Sequence, residues 1–110
     1  LDHERLWCLC LDPRCCLIGE PVQVSQGDDD RCDASPRLVM RAALCRGAHT
    51  CVVVHNHPTG IPSPSSADLA VTRNLIAAGK AVAIAMSDHV ILTAAGAFVS
   101  LRREHPELWR

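Results

Sequence analysis

The chain has 110 residues, of which 48% are hydrophobic and 21% are charged, and this composition is typical of one globular domain rather than a disordered segment. Eleven basic residues against twelve acidic ones leave a formal net charge of −1, which argues against a protein that acts mainly on nucleic acid or on a membrane surface. Aromatic residues make up only 3%, so aliphatic side chains, Ala and Cys must fill the core.

The N-terminal part of the chain predicts a β-hairpin followed by a loop. Leu6–Leu11 is an unbroken apolar run, which is typical of a strand buried on both faces. Turn residues at 12–14 separate it from a second predicted strand, Leu17–Val24. The polar stretch Gln26–Ser35 contains a run of acidic residues and is predicted to be a solvated loop.

A helix and a central strand are predicted next. Ser35 has the position of an N-cap and Pro36 that of the first helical residue, and Gly47 is expected to end this helix. The apolar run Cys51–Val54 then predicts a central strand, which leads into a loop rich in Pro.

The C-terminal half predicts a second helix and further strands. Ser65 begins the helix, Asp68 stands three residues later as in a capping box, and Gly79 is expected to end it. The strands are expected at Ala81–Met86, Val90–Thr93 and Ala97–Leu101. Together these elements predict an α/β fold with one domain over residues 1–110, in which a mixed sheet of about six strands is flanked by two or more helices.

One stretch between the central strand and the second helix has the pattern of a metal site. His55 and His57 alternate along an extended backbone, so both project to the same side. Asp68 lies in the first turn of the following helix, which the intervening loop can fold back towards them. Two imidazoles and one carboxylate leave an open position on a zinc ion, as in catalytic zinc sites. Taken singly, the two histidines are also typical of surface residues, and Asp68 is also explained by a helix cap. Only the joint spacing of the three residues favours a metal site.

The stretch HNHPTGIPSPSSADLAVTRNLIAAG at 55–79 resembles the metal-binding motif of the JAMM metallopeptidases, the family of MPN and JAB/Mov34 domains. Within that family it is most similar to the RadC-like branch. The similarity extends to Asp88-His89-Val90-Ile91 and to Pro36-Arg37, and it covers essentially the whole chain. The resemblance implies an MPN/JAB-like domain.

The resemblance also implies the members of an active site. Zinc would be held by His55, His57 and Asp68. Ser65 would lie near the attacking water or the developing oxyanion, and an upstream Glu would act as general base. Glu20 is the predicted base, because it lies on the second predicted strand, where the resemblance places this residue.

The position of the base leaves more than one function open. The other upstream glutamate, Glu4, lies near the start of the chain. An ungapped alignment with the family places the base on Pro21 rather than on Glu20, and a slip of one residue along a strand turns a side chain to the opposite face. The leading hypothesis is a zinc-dependent hydrolase of peptide or isopeptide bonds. A non-catalytic MPN-like binding module is the second hypothesis, and a DNA-repair-associated protein, after the traditional label of the RadC-like branch, is the third.

Partners and compartment are expectations of two kinds. The resemblance implies a peptide or protein substrate, whereas composition disfavours nucleic acid through the net charge and predicts no membrane span; the oligomeric state is open. Seven cysteines with no C-x-x-C pair are interpreted as small core side chains, although exposure is left open for Cys15, Cys16 and Cys32. A cytoplasmic location is expected because an odd number cannot pair completely. Since the chain begins with Leu1, we expect a domain excised from a longer protein.

The roles of two further residues are open. Thr72 lies one helical turn after Asp68 and could either bond its carboxylate or face the core. His89 could support the metal site or be a buried, hydrogen-bonded histidine.

Overall fold

The computed structural model describes residues 4–24 and 35–110, which form a five-stranded sheet with helices. The strands are β1 (Leu6–Leu11), β2 (Val22–Gln23), β3 (Thr50–Asn56), β4 (Ala85–Leu92) and β5 (Phe98–Ser100). The helices are α1 (Pro36–Cys45), α2 (Ser66–Ala81) and α3 (Leu101–Glu104), and a 3-10 turn covers Pro106–Trp109. In these two ranges, no helix is long and apolar enough to cross a lipid bilayer.

The sheet order is β2-β1-β3-β4-β5, which puts β3 at the centre. β1 pairs with β3 in antiparallel fashion, whereas β4 pairs with β3 in parallel after the chain has crossed over through α2. The predicted α/β fold with a mixed sheet is therefore confirmed. The C-terminal end of β3 lies between the start of β1 and the end of β4, and α2 begins shortly after it.

One face of the sheet carries the core and packs against the helices. β1 and β3 bury alternate side chains, and this inner face of the two strands comprises Leu6, Cys8, Cys10, Cys51, Val53 and His55. α1 contacts β1, and α2 contacts β4. The cysteines on this face act as small core side chains, as predicted. Among the described residues, the exposed thiols are those of Cys15 and Cys16, for which the sequence leaves exposure open, and of Cys45, for which the core interpretation is wrong.

The predicted break between the strands Ala81–Met86 and Val90–Thr93 is absent, because Ala85–Leu92 form one continuous strand, β4, so the sheet has five strands. The first of these predictions is wrong for residues 81–84, since Ala81 still belongs to α2 and a turn follows it. The expected break coincides with Asp88 and His89. Oδ1 of Asp88 accepts hydrogen bonds from the main-chain N–H groups of His89 and Arg102, at 2.7 and 3.1 Å. Polar side chains can continue a strand when neighbouring elements supply their hydrogen-bond partners.

The second predicted strand, Leu17–Val24, is much shorter than expected. It is reduced to a single bridge between Leu11 and Leu17 and to the two residues of β2. Pro21 has no N–H to donate to the sheet, which interrupts the pairing just before β2. The predicted polar loop Gln26–Ser35 lies outside the described residues, apart from Ser35 itself.

The helix boundaries follow the sequence signals in part. α1 begins at Pro36, although the side chain of Ser35 makes no capping hydrogen bond, and it ends ahead of Gly47, which has a φ of +64°. α2 does not end at Gly79 but continues to Ala81. The helix can pass through Gly79 because glycine costs a helix only about 1 kcal/mol.

Candidate metal centre

The two histidines of the motif lie at the C-terminal end of the central strand. His55 is 5% exposed on the inner face of β3, and its neighbour across the sheet is Leu6 of β1. His57 follows directly after the strand, and its main-chain N–H donates to the carbonyl oxygen of Leu92 at 2.8 Å. The two imidazole rings are 4.9 Å apart between centroids and nearly perpendicular, at 89°. The alternation predicted from the sequence thus brings both rings to one place.

Asp68 is held against both histidines by the helix cap. The hydroxyl oxygen of Ser65 accepts the main-chain N–H of Asp68 at 3.0 Å, and Oδ2 of Asp68 accepts the main-chain N–H of Ser65 at 2.9 Å. The same Oδ2 lies 3.1 Å from Nε2 of His57, and Oδ1 lies 3.5 Å from Nδ1 of His55. One capping box therefore both begins α2 and aims a carboxylate at the histidine pair.

The second carboxylate beside the histidines belongs to Glu4. Its Oε2 atom lies 3.6 Å from Nε2 of His55, and its side chain is one-third exposed. Donor atoms of Glu4, His55 and His57 all lie within 4.8 Å of one another. The pairing of Leu6 with His55 explains this position, since Glu4 is two residues before Leu6 and shares its side of the chain.

Glu20, the predicted general base, does not lie at this site. It is exposed ahead of β2, and its carbonyl oxygen accepts a hydrogen bond from Nη1 of Arg46 at 3.1 Å. β2 runs antiparallel to β1 and pairs with Trp7 and Cys8, so residues just before β2 lie towards the end of β1 that is remote from the histidines. At roughly 3.3 Å per strand residue, this end is on the order of 13 Å from His55. The structure therefore brings Glu4, and not Glu20, to the histidines.

The hydrogen bonds of the histidines fit a bound cation. Nδ1 of His57 lies 2.9 Å from the carbonyl oxygen of Ile61, which can only accept, so Nδ1 carries the proton. In the neutral ring, Nε2 then points a lone pair at the Asp68 carboxylate. Both ring nitrogens of His55 are buried without a hydrogen-bond partner among the described residues, although carboxylates face them. A cation between these groups relieves both conflicts, and imidazole with carboxylate is a donor set that suits zinc.

The pKa values at the site favour the metal-binding forms of these side chains. Burial lowers the pKa of His55 below its usual range, against the opposing effect of Asp68 and Glu4. Burial by itself raises the pKa of Asp68, but the hydrogen bonds from Ser65 and the neighbouring histidines hold it below its ordinary value. At neutral pH, His55 is therefore neutral and Asp68 ionised, as metal coordination requires.

Family membership follows from a comparison of the whole sequence. Residues 1–106 match the family described as the RadC-like JAB domain. The chain belongs to this family. This RadC-like JAB domain is 39% identical to a UPF0758 protein of Thermotoga maritima over 104 residues, which cover 94% of the chain and 46% of the relative. It is 39% identical over 104 residues to a UPF0758 protein of Methanococcoides burtonii (94% and 44% covered), and 40% identical over 107 residues to one of Thermosynechococcus vestitus (97% and 42%). The chain thus spans less than half the length of these curated relatives.

Behind the site, the RadC-like JAB domain contains a buried polar pair whose role the sequence left open. His89 of β4 is 1% exposed, and its Nδ1 atom lies 2.7 Å from the hydroxyl oxygen of Thr72. Thr72 is fully buried, and its hydroxyl donates to the main-chain carbonyl oxygen of Asp68 rather than to the carboxylate. The ring of His89 lies 6.0 Å from the ring of His55. His89 is thus a buried, hydrogen-bonded histidine that adjoins the candidate metal centre.

We expect the metal-free RadC-like JAB domain to lose stability as the pH falls from 7 to 4.5. In the unfolded chain His89 takes up a proton near pH 6.5, whereas burial lowers its pKa in the folded domain to about 4. The stability contributed by neutral His89 is therefore complete above pH 6.5 and declines below it, by about 2 to 3 kcal/mol at pH 4.5. Urea unfolding at pH 7.0, 5.5 and 4.5 with a chelator present measures this decline. His89→Asn should flatten it, and an unchanged slope in that variant would contradict the assignment.

Proposed function

We propose that this domain is a zinc-dependent amide hydrolase, acting on peptide or isopeptide bonds, in which His55, His57 and Asp68 hold the ion. The observation that carries the proposal is the meeting of two imidazoles with two carboxylates at the end of β3. Zinc prefers three protein ligands of this kind in catalytic sites, with a position left open for water or substrate. Membership in the RadC-like JAB family supports the same chemistry.

Zinc bound there would supply Lewis acidity, which polarises the scissile carbonyl and makes a water molecule a stronger nucleophile. Glu4 is assigned as the general base, because its carboxylate lies 3.6 Å from Nε2 of His55 and remains one-third exposed. From this position it can accept a proton from the attacking water and pass it to the departing amine. A group that is partly open to solvent can reach both water and substrate.

Ser65 is assigned to the developing oxyanion. Its hydroxyl oxygen accepts the N–H of Asp68, so the hydroxyl hydrogen remains free to donate a hydrogen bond. Ser65 is exposed, whereas the Asp68 side chain beside it is largely buried. A preoriented donor at the mouth of the site can stabilise negative charge on a carbonyl oxygen.

The alternatives are weaker than the hydrolase. A non-catalytic module was suggested by Pro21 at the expected position of the base, and Glu4 beside His55 removes that reason. A role on nucleic acid has no support in the net charge of −1. The proposed substrate is therefore a peptide or protein. The proposed compartment is the cytoplasm, where the exposed thiols of Cys15, Cys16 and Cys45 would stay reduced.

Metal analysis tests the proposal directly. The purified chain should retain about one zinc ion per molecule, and His57→Ala and Asp68→Asn should each abolish retention, because each removes a ligand. His49→Ala is the matched control, since His49 is exposed and outside the site. Mass spectrometry of a defined peptide mixture should reveal cleaved amide bonds after incubation with the wild type or with His49→Ala, but not with His57→Ala or Asp68→Asn. The proposal would be refuted if the wild type bound no zinc, or if His57→Ala and Asp68→Asn cleaved the peptides as fast as the wild type.

A further inference from the structure

Proton counting assigns the hydrogen bonds of the pair formed by Thr72 and His89. The hydroxyl of Thr72 has one hydrogen, and its oxygen lies 2.8 Å from the carbonyl oxygen of Asp68, which can only accept. That hydrogen is therefore directed to Asp68. The bond of 2.7 Å between Thr72 and His89 must then run from Nδ1–H of His89 to the hydroxyl oxygen. His89 consequently holds its proton on Nδ1, and Nε2 carries a lone pair.

The pair connects the two parts of the metal centre. His89 lies on β4 opposite Val53 of β3, two residues before His55 on the same inner face. Thr72 lies one turn beyond Asp68 on α2. The chain of bonds from His89 through Thr72 to Asp68 therefore links the sheet that carries the histidines to the helix turn that carries the carboxylate.

We propose that His89 is a positioning residue, which acts through Thr72 to hold the first turn of α2, and hence Asp68, in register with His55 and His57. This inference rests on the proposed metal site but not on its catalysing hydrolysis. Asp68 lies in the first turn of the helix, where the N–H groups have no partner within the helix and the turn is held by the cap with Ser65. An additional bond to its carbonyl oxygen, anchored in the sheet, fixes that turn. Groups that orient metal ligands in this way typically change metal affinity by 10- to 100-fold when they are removed.

The alternative is that Thr72 and His89 merely fill the core. Both are fully or almost fully buried, and in that case their replacement would lower stability and leave zinc affinity unchanged. Metal affinity, measured against a chromophoric chelator in folded protein, separates the two roles. The visible spectrum of the cobalt-substituted protein provides a second readout, because it reports the arrangement of the ligands.

The first test compares Thr72→Val with Thr72→Ser. Valine keeps the shape of threonine but removes the hydroxyl, and we expect zinc affinity to fall by about 10-fold or more with a changed cobalt spectrum. Serine retains the hydroxyl and should stay within about threefold of the wild type. If Thr72→Val binds zinc as tightly as Thr72→Ser, with the same cobalt spectrum, the inference is overturned.

The second test addresses His89 itself. The side-chain amide of His89→Asn can supply a donor in the place of Nδ1–H, so it should restore most of the affinity that His89→Leu loses. Nitrogen-15 NMR of the metal-free wild type should show a proton on Nδ1 of His89, and a proton on Nε2 would overturn the inference without any variant. If the wild type binds zinc and the variants change its zinc affinity as expected, but no amide bond is cleaved, only the proposed function is refuted. A wild type that binds no zinc would overturn both.

Discussion

Glu4→Gln is expected to lower the rate of amide hydrolysis by about 10²- to 10⁴-fold while zinc remains bound. Glutamine keeps the size of glutamate but cannot accept a proton at neutral pH. Glu4 is the carboxylate that faces Nε2 of His55 at 3.6 Å, whereas Asp68 is engaged by its helix cap. Initial rates on a cleaved peptide, together with zinc content, measure the effect.

Glu20→Gln is the matched control for this experiment. The same change of chemistry is made at the other upstream glutamate, which is exposed and remote from the histidines. We expect its rate to stay within about twofold of the wild type, because the substituted side chain is remote from the site. The fold should also be preserved, since exposed substitutions away from special features usually change stability by no more than about 0.5 kcal/mol. If Glu20→Gln abolished cleavage while Glu4→Gln did not, the assignment of the base would be wrong.

Gly79→Ala is expected to destabilise the fold by about 3 kcal/mol. An alanine Cβ at this position would lie 2.3 Å from the carbonyl oxygen of Ile84, which is backbone and cannot turn away. The N–H of Ile84 also donates to the carbonyl oxygen of Gly79 at 2.8 Å, so the two segments are held together. Chemical denaturation of both proteins measures the difference in unfolding free energy.

The sign of this effect distinguishes packing from helix propensity. Within a helix, alanine is ordinarily more stable than glycine by roughly 0.5 to 1 kcal/mol, so an open site would be stabilised by the change. Ala77→Gly, at an exposed position of the same helix, measures the propensity alone. A stabilised Gly79→Ala protein would show that the turn between α2 and β4 opens without cost.

The half of the site that could be predicted consists of residues close in sequence. His55, His57 and Asp68 lie within 14 positions of one another, and their geometry depends on local rules. Strand alternation brings the two rings together, and the capping box with Ser65 orients the carboxylate. From the sequence, a helix cap and a metal ligand are alternative interpretations of Asp68, but the hydrogen bonds that form the cap also aim the carboxylate at the histidines.

The proposed general base could not be predicted in the same way, because Glu4 lies 51 positions before His55 in the chain. Its position depends on which strand pairs with β3 and in which register, and a slip of one residue would turn it to the other face. A signal was nevertheless present, since Glu4 continues the alternation of Leu6 and Cys8 along β1. This alternation indicates on which face of β1 Glu4 lies, but not which residues lie beside it. It is informative only when the pairing of β1 with β3 is known.

The sequence by itself determined the family, the α/β class and the metal-binding motif, because these depend on composition and on residues that are near neighbours along the chain. Only the tertiary structure decided which glutamate lies beside the histidines, how Ser87, Asp88 and His89 continue β4, and why Gly79 must be glycine. Each of these depends on atoms brought together across the sheet or between α2 and β4. The near-neutral charge argues against a general affinity for nucleic acid, but the local cluster of carboxylates and imidazoles exists only in the folded chain.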